Sequence, residues 1–338
     1  MSKKEKESGQ VSSPISSKLM WLGGMISLLV ISALYLQYSV PDKEDISFKE
    51  KFNRDYKVYA INLPSNLVLM DEHVPLEQFN IAEKLDRELL VNTYWQSQTL
   101  LFFKRSQKWF PMIESILEEE GVPNDFKYLA IIESGLNNIV SPSGAAGFWQ
   151  IMKSTGREYG LEVNSHIDER YHLEKATRAA CTYLKKAYEM YGSWSLAAAS
   201  YNMGMNGMNR KLTDQQVNSY YDLHLNTETA RYVYRMIAVK LILENPNDFG
   251  FNYREKDLYK TIPTSELSVD TAIPDLSNFA NAQGYSYSLL KTLNPWLRSK
   301  QLANASNKNY SIKVPTKTYL ESVDYRKPEP LPQFAKTE

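Results

Sequence analysis

Glu133 is the residue whose neighbours along the chain point most directly to chemistry. In the segment NDFKYLAIIES, Phe126, Leu129 and Ala130 precede it by seven, four and three residues. A helix through this segment therefore sets the Glu133 carboxyl on an apolar face. Gly135 follows two residues later, which puts the carboxyl at a helix C-terminus, where the dipole disfavours negative charge. Burial and dipole together predict a raised pKa and a proton available near neutral pH for donation to a leaving group. A glutamate that turns its head to solvent or pairs with an arginine satisfies the same pattern equally well.

Two further stretches offer groups for a polyhydroxylated ligand. SPSGAAGFWQIMKSTG places glycines around an aromatic pair, which lets backbone approach a ligand closely, and Ser143 and Gln150 supply hydrogen bonds suited to hydroxyl and acetamido groups. A tight turn packed by Trp149 is the plainer reading of that loop. In GSWSLAAASYNMGMNGMNR, Tyr201 and Asn202 meet a glycine turn after a small-residue helix; a ring face with a neighbouring amide suits a pyranose, and a capped helix end is the alternative. Tyr232, in ETARYVYRMIA with Thr227 as the expected N-cap, carries the same ambiguity.

These residues need helices to hold them. Apolar residues recur at helical spacing over 79–120, Gly121 and Pro123 end that run, and Asn124 is the expected N-cap of the next helix. Helices are also predicted over 154–159, 174–191, 194–201 and 228–244, with no period-two alternation between 79 and 244. After Asn245, β-branched pieces at 261–262 and 312–314 flank two short helical patterns, the outline of a β-α-α-β module. The fold class expected is mainly α, with that module as a small appendage.

The 338 residues hold 39 basic and 39 acidic side chains, so the long-range field that draws proteins to nucleic acid is missing. The single cysteine, Cys181, excludes an intramolecular disulfide and reads as core packing. His73, His166, His172 and His224 show no paired metal-ligand spacing. LMWLGGMISLLVISALYLQYSV, residues 19–40, has the length and apolarity of one transmembrane helix. Lys3, Lys4, Lys6 and Lys18 precede it, and Asp42, Glu44 and Asp45 follow it, so 1–18 are expected in the cytoplasm and the rest outside. Residues 41–75 read as a spacer, 76–250 as the helical domain, 258–320 as the module and the proline-bearing 321–338 as an extended tail.

The ordered set ESGLNN, SPSGAAGFWQIMKSTG, ASYNMGMNG and ETARYVYRMIA resembles the lytic transglycosylases of the goose-type lysozyme superfamily, most of all their membrane-bound murein transglycosylase D group. GVPNDFKYLAIIES and DERYHLEKATRAACTYL agree with that group, and the resemblance runs over about 75–250. It implies a lysozyme-like α-helical catalytic domain acting on peptidoglycan glycan strands, with Glu133 as its catalytic residue. Substrate contacts then fall on Ser134, Ser143, Gln150, Tyr201, Asn202 and Tyr232, and Tyr232 assists in polarising the reacting groups. Ser200, Met203 and Phe148 depart from the group's usual residues, which bears on sugar preference more than on activity. DLSNFANAQGYSYSLLKTLNPWL with SIKVP is similar to LysM glycan-binding modules, although the customary glycine-aspartate turn is missing; a packing appendage and a second sugar site are equal expectations.

An ordinary glycosidase uses two carboxylates, and no obvious second accompanies Glu133: Asp125 falls on the opposite side of the helix, and Glu158 and Glu162 lie in a polar context. That fits a transglycosylase, in which the sugar supplies the missing groups and 1,6-anhydromuramic acid forms without metal or organic cofactor. The alternatives are a hydrolytic muramidase on the same fold and an inert glycan-binding envelope scaffold. The expected setting is a bacterial inner membrane, with the domain on its periplasmic side.

Overall fold

The computed structural model describes residues 58–323, together with Met25 and residues 46–48, 50 and 51. The expected cytoplasmic segment 1–18 and anchor 19–40, Met25 apart, lie outside the described residues, as does the tail from 324. Among the described residues no helix is long and apolar enough to cross a membrane. Two compact units divide the chain, Met1–Tyr59 and Ala60–Glu338. Of the first, residues 46–48, 50 and 51 are helical. The second is mainly helical, with a small two-stranded sheet near the C-terminus.

It opens with a hairpin, β1 (Val68–Leu69) paired antiparallel to β2 (Glu72–His73). Met70 and Asp71 turn it with φ of 53° and 62°, a left-handed pair that their residue types do not announce. Leu67, Leu69, Met70 and Val74 are buried in the main core, so the C-terminal part of the expected spacer 41–75 belongs to the helical domain. The predicted run over 79–120 is two helices, α1 (Phe79–Tyr94) and α2 (Gln96–Glu119), separated at Trp95, whose ψ of 55° leaves the helical region. Pro111 sits inside α2 without ending it.

The central helix is α3 (Lys127–Ser134), entered through a 3-10 turn at Asn124–Phe126. Asn124 begins that turn rather than capping α3; Pro123 holds the cap position, and no side chain caps either element. Tyr128 to Ile132 are all buried, because α2 packs on one side of α3 and α8 (Thr227–Glu244) on another. Between them come α4 (Lys153–Glu158), α5 (Leu173–Tyr191), α6 (Trp194–Met203) and α7 (Met205–Gln215). Asn226, not Thr227, caps α8, its Oδ1 accepting from Thr229 N at 2.9 Å. Cys181 is fully buried in the main core.

The C-terminal module runs β3 (Thr264–Val269), α9 (Leu276–Ala282), α10 (Tyr287–Leu293) and β4 (Tyr310–Pro315), followed by α11 (Lys317–Ser322). β3 and β4 pair antiparallel from Thr264↔Pro315 to Val269↔Tyr310. β3 starts later than the expected 261–262 because its residues, TSELSV, are mostly polar and solvent-facing, so alternation gives little signal. Its core is shared: Ala146, Ile167 and Tyr171 of the helical domain are buried with Leu276, Leu290, Trp296 and Ile312. Asp168 N donates to Trp296 O at 2.9 Å, Arg298 N to His166 O at 2.8 Å, and Lys308 pairs with Glu162 at 2.6 Å. The module is packed onto the helical domain.

Candidate active site

Glu133 occupies the last turn of α3, half-buried amid a helix that is otherwise almost fully enclosed. Gly135 ends the helix with φ of 61°, a left-handed conformation that glycine adopts without penalty. The freed carbonyls do not go unpaired. Arg105 of α2 donates to Gly135 O at 2.9 Å, and Arg235 of α8 donates to Ile132 O at 2.8 Å. Two guanidiniums thus offset the negative helix end, and the dipole expected to raise the Glu133 pKa is answered locally. Burial is the main cause of the rise, to about 7; the hydrogen bond from Tyr232 and the charge of Arg235 pull down against it, while the charge of Glu228 adds to it.

Tyr232 Oη donates to Glu133 Oε1. The ring is 1% exposed, and burial followed by the neighbouring Glu133 charge holds its phenol well above the ordinary range, so it stays a donor. Its position is fixed one residue earlier in α8, where Arg231 grips the buried Glu88 of α1 at 2.6 and 3.1 Å. Tyr201, in α6, is held the same way: its hydroxyl donates to Trp149 O at 2.8 Å, and burial first, then the Glu133 charge, raises its pKa. The N-terminus of α6 is set by Glu72 of β2, which accepts from Ser195 N at 3.0 Å, from Ser193 Oγ at 3.1 Å and from Trp194 N.

The remaining expected residues are placed unequally. Asn202 Nδ2 donates to Glu228 Oε1 at 3.0 Å, and its Oδ1 accepts from Thr229 Oγ1 at 2.7 Å, joining α6 to the start of α8. Ser134 points inward, its Oγ 2.8 Å from Phe148 O and 3.1 Å from Ala130 O, so it ties α3 to the glycine loop. Gln150 has a φ of 45° and uses Nε2 on Ile139 O and Gly147 O at 3.1 and 2.8 Å. Ser143 stands exposed in the turn. Trp149 is fully buried with Nε1 on Thr177 Oγ1 at 2.9 Å, the packed-turn reading of the loop. Gly147 is obligatory: a Cβ there would lie 2.0 Å from Arg170 O.

The carboxylates weighed as a second acid are engaged elsewhere. Asp125 accepts from Met70 N and Lys240 at 2.8 Å each, Glu158 pairs with Lys186, and Glu162 with Lys308. Residue-by-residue reading missed Glu228 and Arg235, both of which act electrostatically on Glu133. The signal was present, since 228, 232 and 235 follow i, i+4, i+7 spacing and share one face of α8.

Residues 111–223 match the family description "Transglycosylase SLT domain", and residues 265–318 match "Soluble lytic transglycosylase C-terminal LysM-like domain". The helical domain is thus similar to SLT transglycosylases over residues 111–223. The SLT domain's match takes in Glu133, Ser134, Ser143, Gln150, Tyr201 and Asn202, while Tyr232 follows it on α8. Similar curated proteins are those named "Membrane-bound lytic murein transglycosylase D" from Escherichia coli strain K12 and from Escherichia coli O6:H1. Each is 29% identical over 247 residues, covering 71% of this chain and 53% of the relative. This chain spans about half the length of the curated relatives it matches. Among solved structures, an inactive mutant of lytic transglycosylase Slt from Pseudomonas aeruginosa matches 45% of this chain and 26% of its own. The identity there is 19% and the TM-score 0.34.

Proposed function

We propose that the protein is a peptidoglycan lytic transglycosylase in which Glu133 is both acid and base. The observation that carries this reading is the Glu133 carboxyl itself, pushed by burial to about 7 and hydrogen-bonded through Oε1 by Tyr232. Oε2 is then the oxygen that holds the proton near neutral pH. Glu133 gives it to the oxygen leaving the β-1,4 bond between N-acetylmuramic acid and N-acetylglucosamine. The acetamido group stabilises positive charge at the anomeric carbon, and the new carboxylate is held by the Tyr232 hydroxyl and the Arg235 charge. Glu133 next takes the proton of the muramoyl 6-hydroxyl as that oxygen bonds to the anomeric carbon. The product is 1,6-anhydromuramic acid, and proximity of the internal hydroxyl replaces water.

Ser143, the free oxygen of Gln150, Tyr201 and Asn202 bind the sugars in this reading, while Ser134 positions the Phe148 backbone beside them. The reading extends to cell-wall remodelling at the periplasmic face of a bacterial inner membrane, anchored by 19–40. The apolar run with its basic flank supports it, as does the word "membrane-bound" in the relatives' name.

A hydrolytic reading has one observation in its favour, the exposed Glu228, whose charge reaches Glu133 and which could activate a water. Mass spectrometry of peptidoglycan digested by the full chain separates the two. Anhydro-muropeptides made by the unmodified protein and absent with Glu133→Gln support the transglycosylase; reducing-end muropeptides lost with Glu228→Gln mean a hydrolase. Activity retained in Glu133→Gln would sink both.

A further inference from the structure

A cavity of about 130 Å³ lies where the LysM-like module meets the SLT-type helices, and Glu133 is not among its lining residues. A cavity on the order of 150 Å³ encloses an unsubstituted six-membered ring, so a pyranose would seat its ring here with its substituents reaching beyond the cavity. Trp109 and Phe148 of the helical domain and Trp296 of the module are among its lining residues, with Asn138, Thr264 and Thr292. Aromatic walls with a few hydroxyl and amide groups suit a sugar ring.

The charges lining this cavity do not cancel. Glu174 pairs with Lys313 through one oxygen and has its other 3.1 Å from His172 Nδ1. Lys108 is different. Half-buried, it lies over the Trp109 ring at 4.4 Å, and among the described residues no carboxylate pairs with it. Burial, with no counter-charge beside it, pushes its ammonium pKa down. A desolvated ammonium on a cavity wall favours an anion.

We propose that this cavity binds one acidic pyranose, with its carboxylate on Lys108 and its ring against the aromatic wall. The choice of N-acetylmuramic acid as the probe rests on the peptidoglycan reading; the site itself rests on the cavity and its charge. The test is calorimetric and tryptophan-fluorescence titration of the full chain carrying Glu133→Gln, so that no bond is cleaved. Saturable binding of N-acetylmuramic acid in roughly the millimolar range is expected, with a change in tryptophan emission because Trp109 and Trp296 line the cavity. N-acetylglucosamine, which lacks the carboxylate, should bind at least about tenfold more weakly. Lys108→Met should lose about tenfold while Lys108→Arg keeps the affinity, each with an unchanged melting temperature.

Absence of saturable binding overturns the proposal, as does equal affinity for the two sugars, which needs no variant at all. Unchanged binding in a folded Lys108→Met protein overturns it too, and inorganic phosphate binding as tightly as the sugar would mean a plain anion site. A protein that cleaves peptidoglycan but binds no acidic sugar refutes only the cavity. One that binds the sugar but leaves peptidoglycan intact refutes only the reading of Glu133.

Discussion

Glu133→Gln is expected to stabilise the fold by an amount that grows with pH. Burial pushes the Glu133 carboxyl from an ordinary 4.5 up to about 7 in the folded chain. Between those limits the folded protein binds more protons than the unfolded chain, so the stability contributed by this group falls as pH rises through the window. At about 1.4 kcal/mol for each pH unit crossed, the ionised carboxylate costs the fold roughly 3 kcal/mol above pH 7 and almost nothing below pH 4. Glutamine keeps the shape and an oxygen for Tyr232, and it never ionises. Thermal melts of the two proteins should coincide near pH 4 and separate by roughly 6–10 °C at pH 8, the variant melting higher. A separation of equal size at both pH values, or none at pH 8, would refute the reasoning, because either would mean that Glu133 is not held protonated by burial.

Tyr232→Phe should slow turnover less than Glu133→Gln does, and should move the fall in rate above neutrality to higher pH. The lost hydrogen bond was holding the Glu133 pKa down, and a pH–rate profile unchanged in position would count against this. Gly147→Ala should cost more than about 3 kcal/mol in urea denaturation, because its Cβ would lie 2.0 Å from Arg170 O at a φ of 81°. Glu88→Gln removes the buried charge that Arg231 grips; roughly 1–2 kcal/mol of stability should go, with slower cleavage as α8 and Tyr232 shift.

What was legible in the chain was local. The i−3, i−4 and i−7 apolar neighbours placed Glu133 on a buried face, and the motifs around Tyr201 and Tyr232 marked residues that meet Trp149 and Glu133, while Asn202 meets Glu228 and Thr229. Long-range pairings left no trace. Arg105 lies 30 residues from Gly135, and Glu88 lies 143 from Arg231, with neither pair separable from ordinary surface charges. Trp95 splits two helices without a glycine or proline to mark it, while Pro111 lies inside α2 without breaking it. The polar β3 was misplaced because its pairing with β4, and not its own pattern, makes it a strand. Gln150 suggested a ligand contact by type and Ser134 by resemblance, yet backbone carbonyls take the Gln150 amide protons and the Ser134 hydroxyl.

The shared core of the C-terminal module sets an order on the birth of the protein. Ribosomes deliver residues 264–315 only after Ala146, Ile167 and Tyr171 have emerged, with the apolar partners that will cover them still unmade. Ala146 adjoins Gly147 in the loop that Ser134 ties to α3, so that loop waits on the module for its backing. A nascent chain stalled before Ile273 would carry every residue named around Glu133 and still lack the side chains that cover Ala146, Ile167 and Tyr171, open meanwhile to chaperones and proteases.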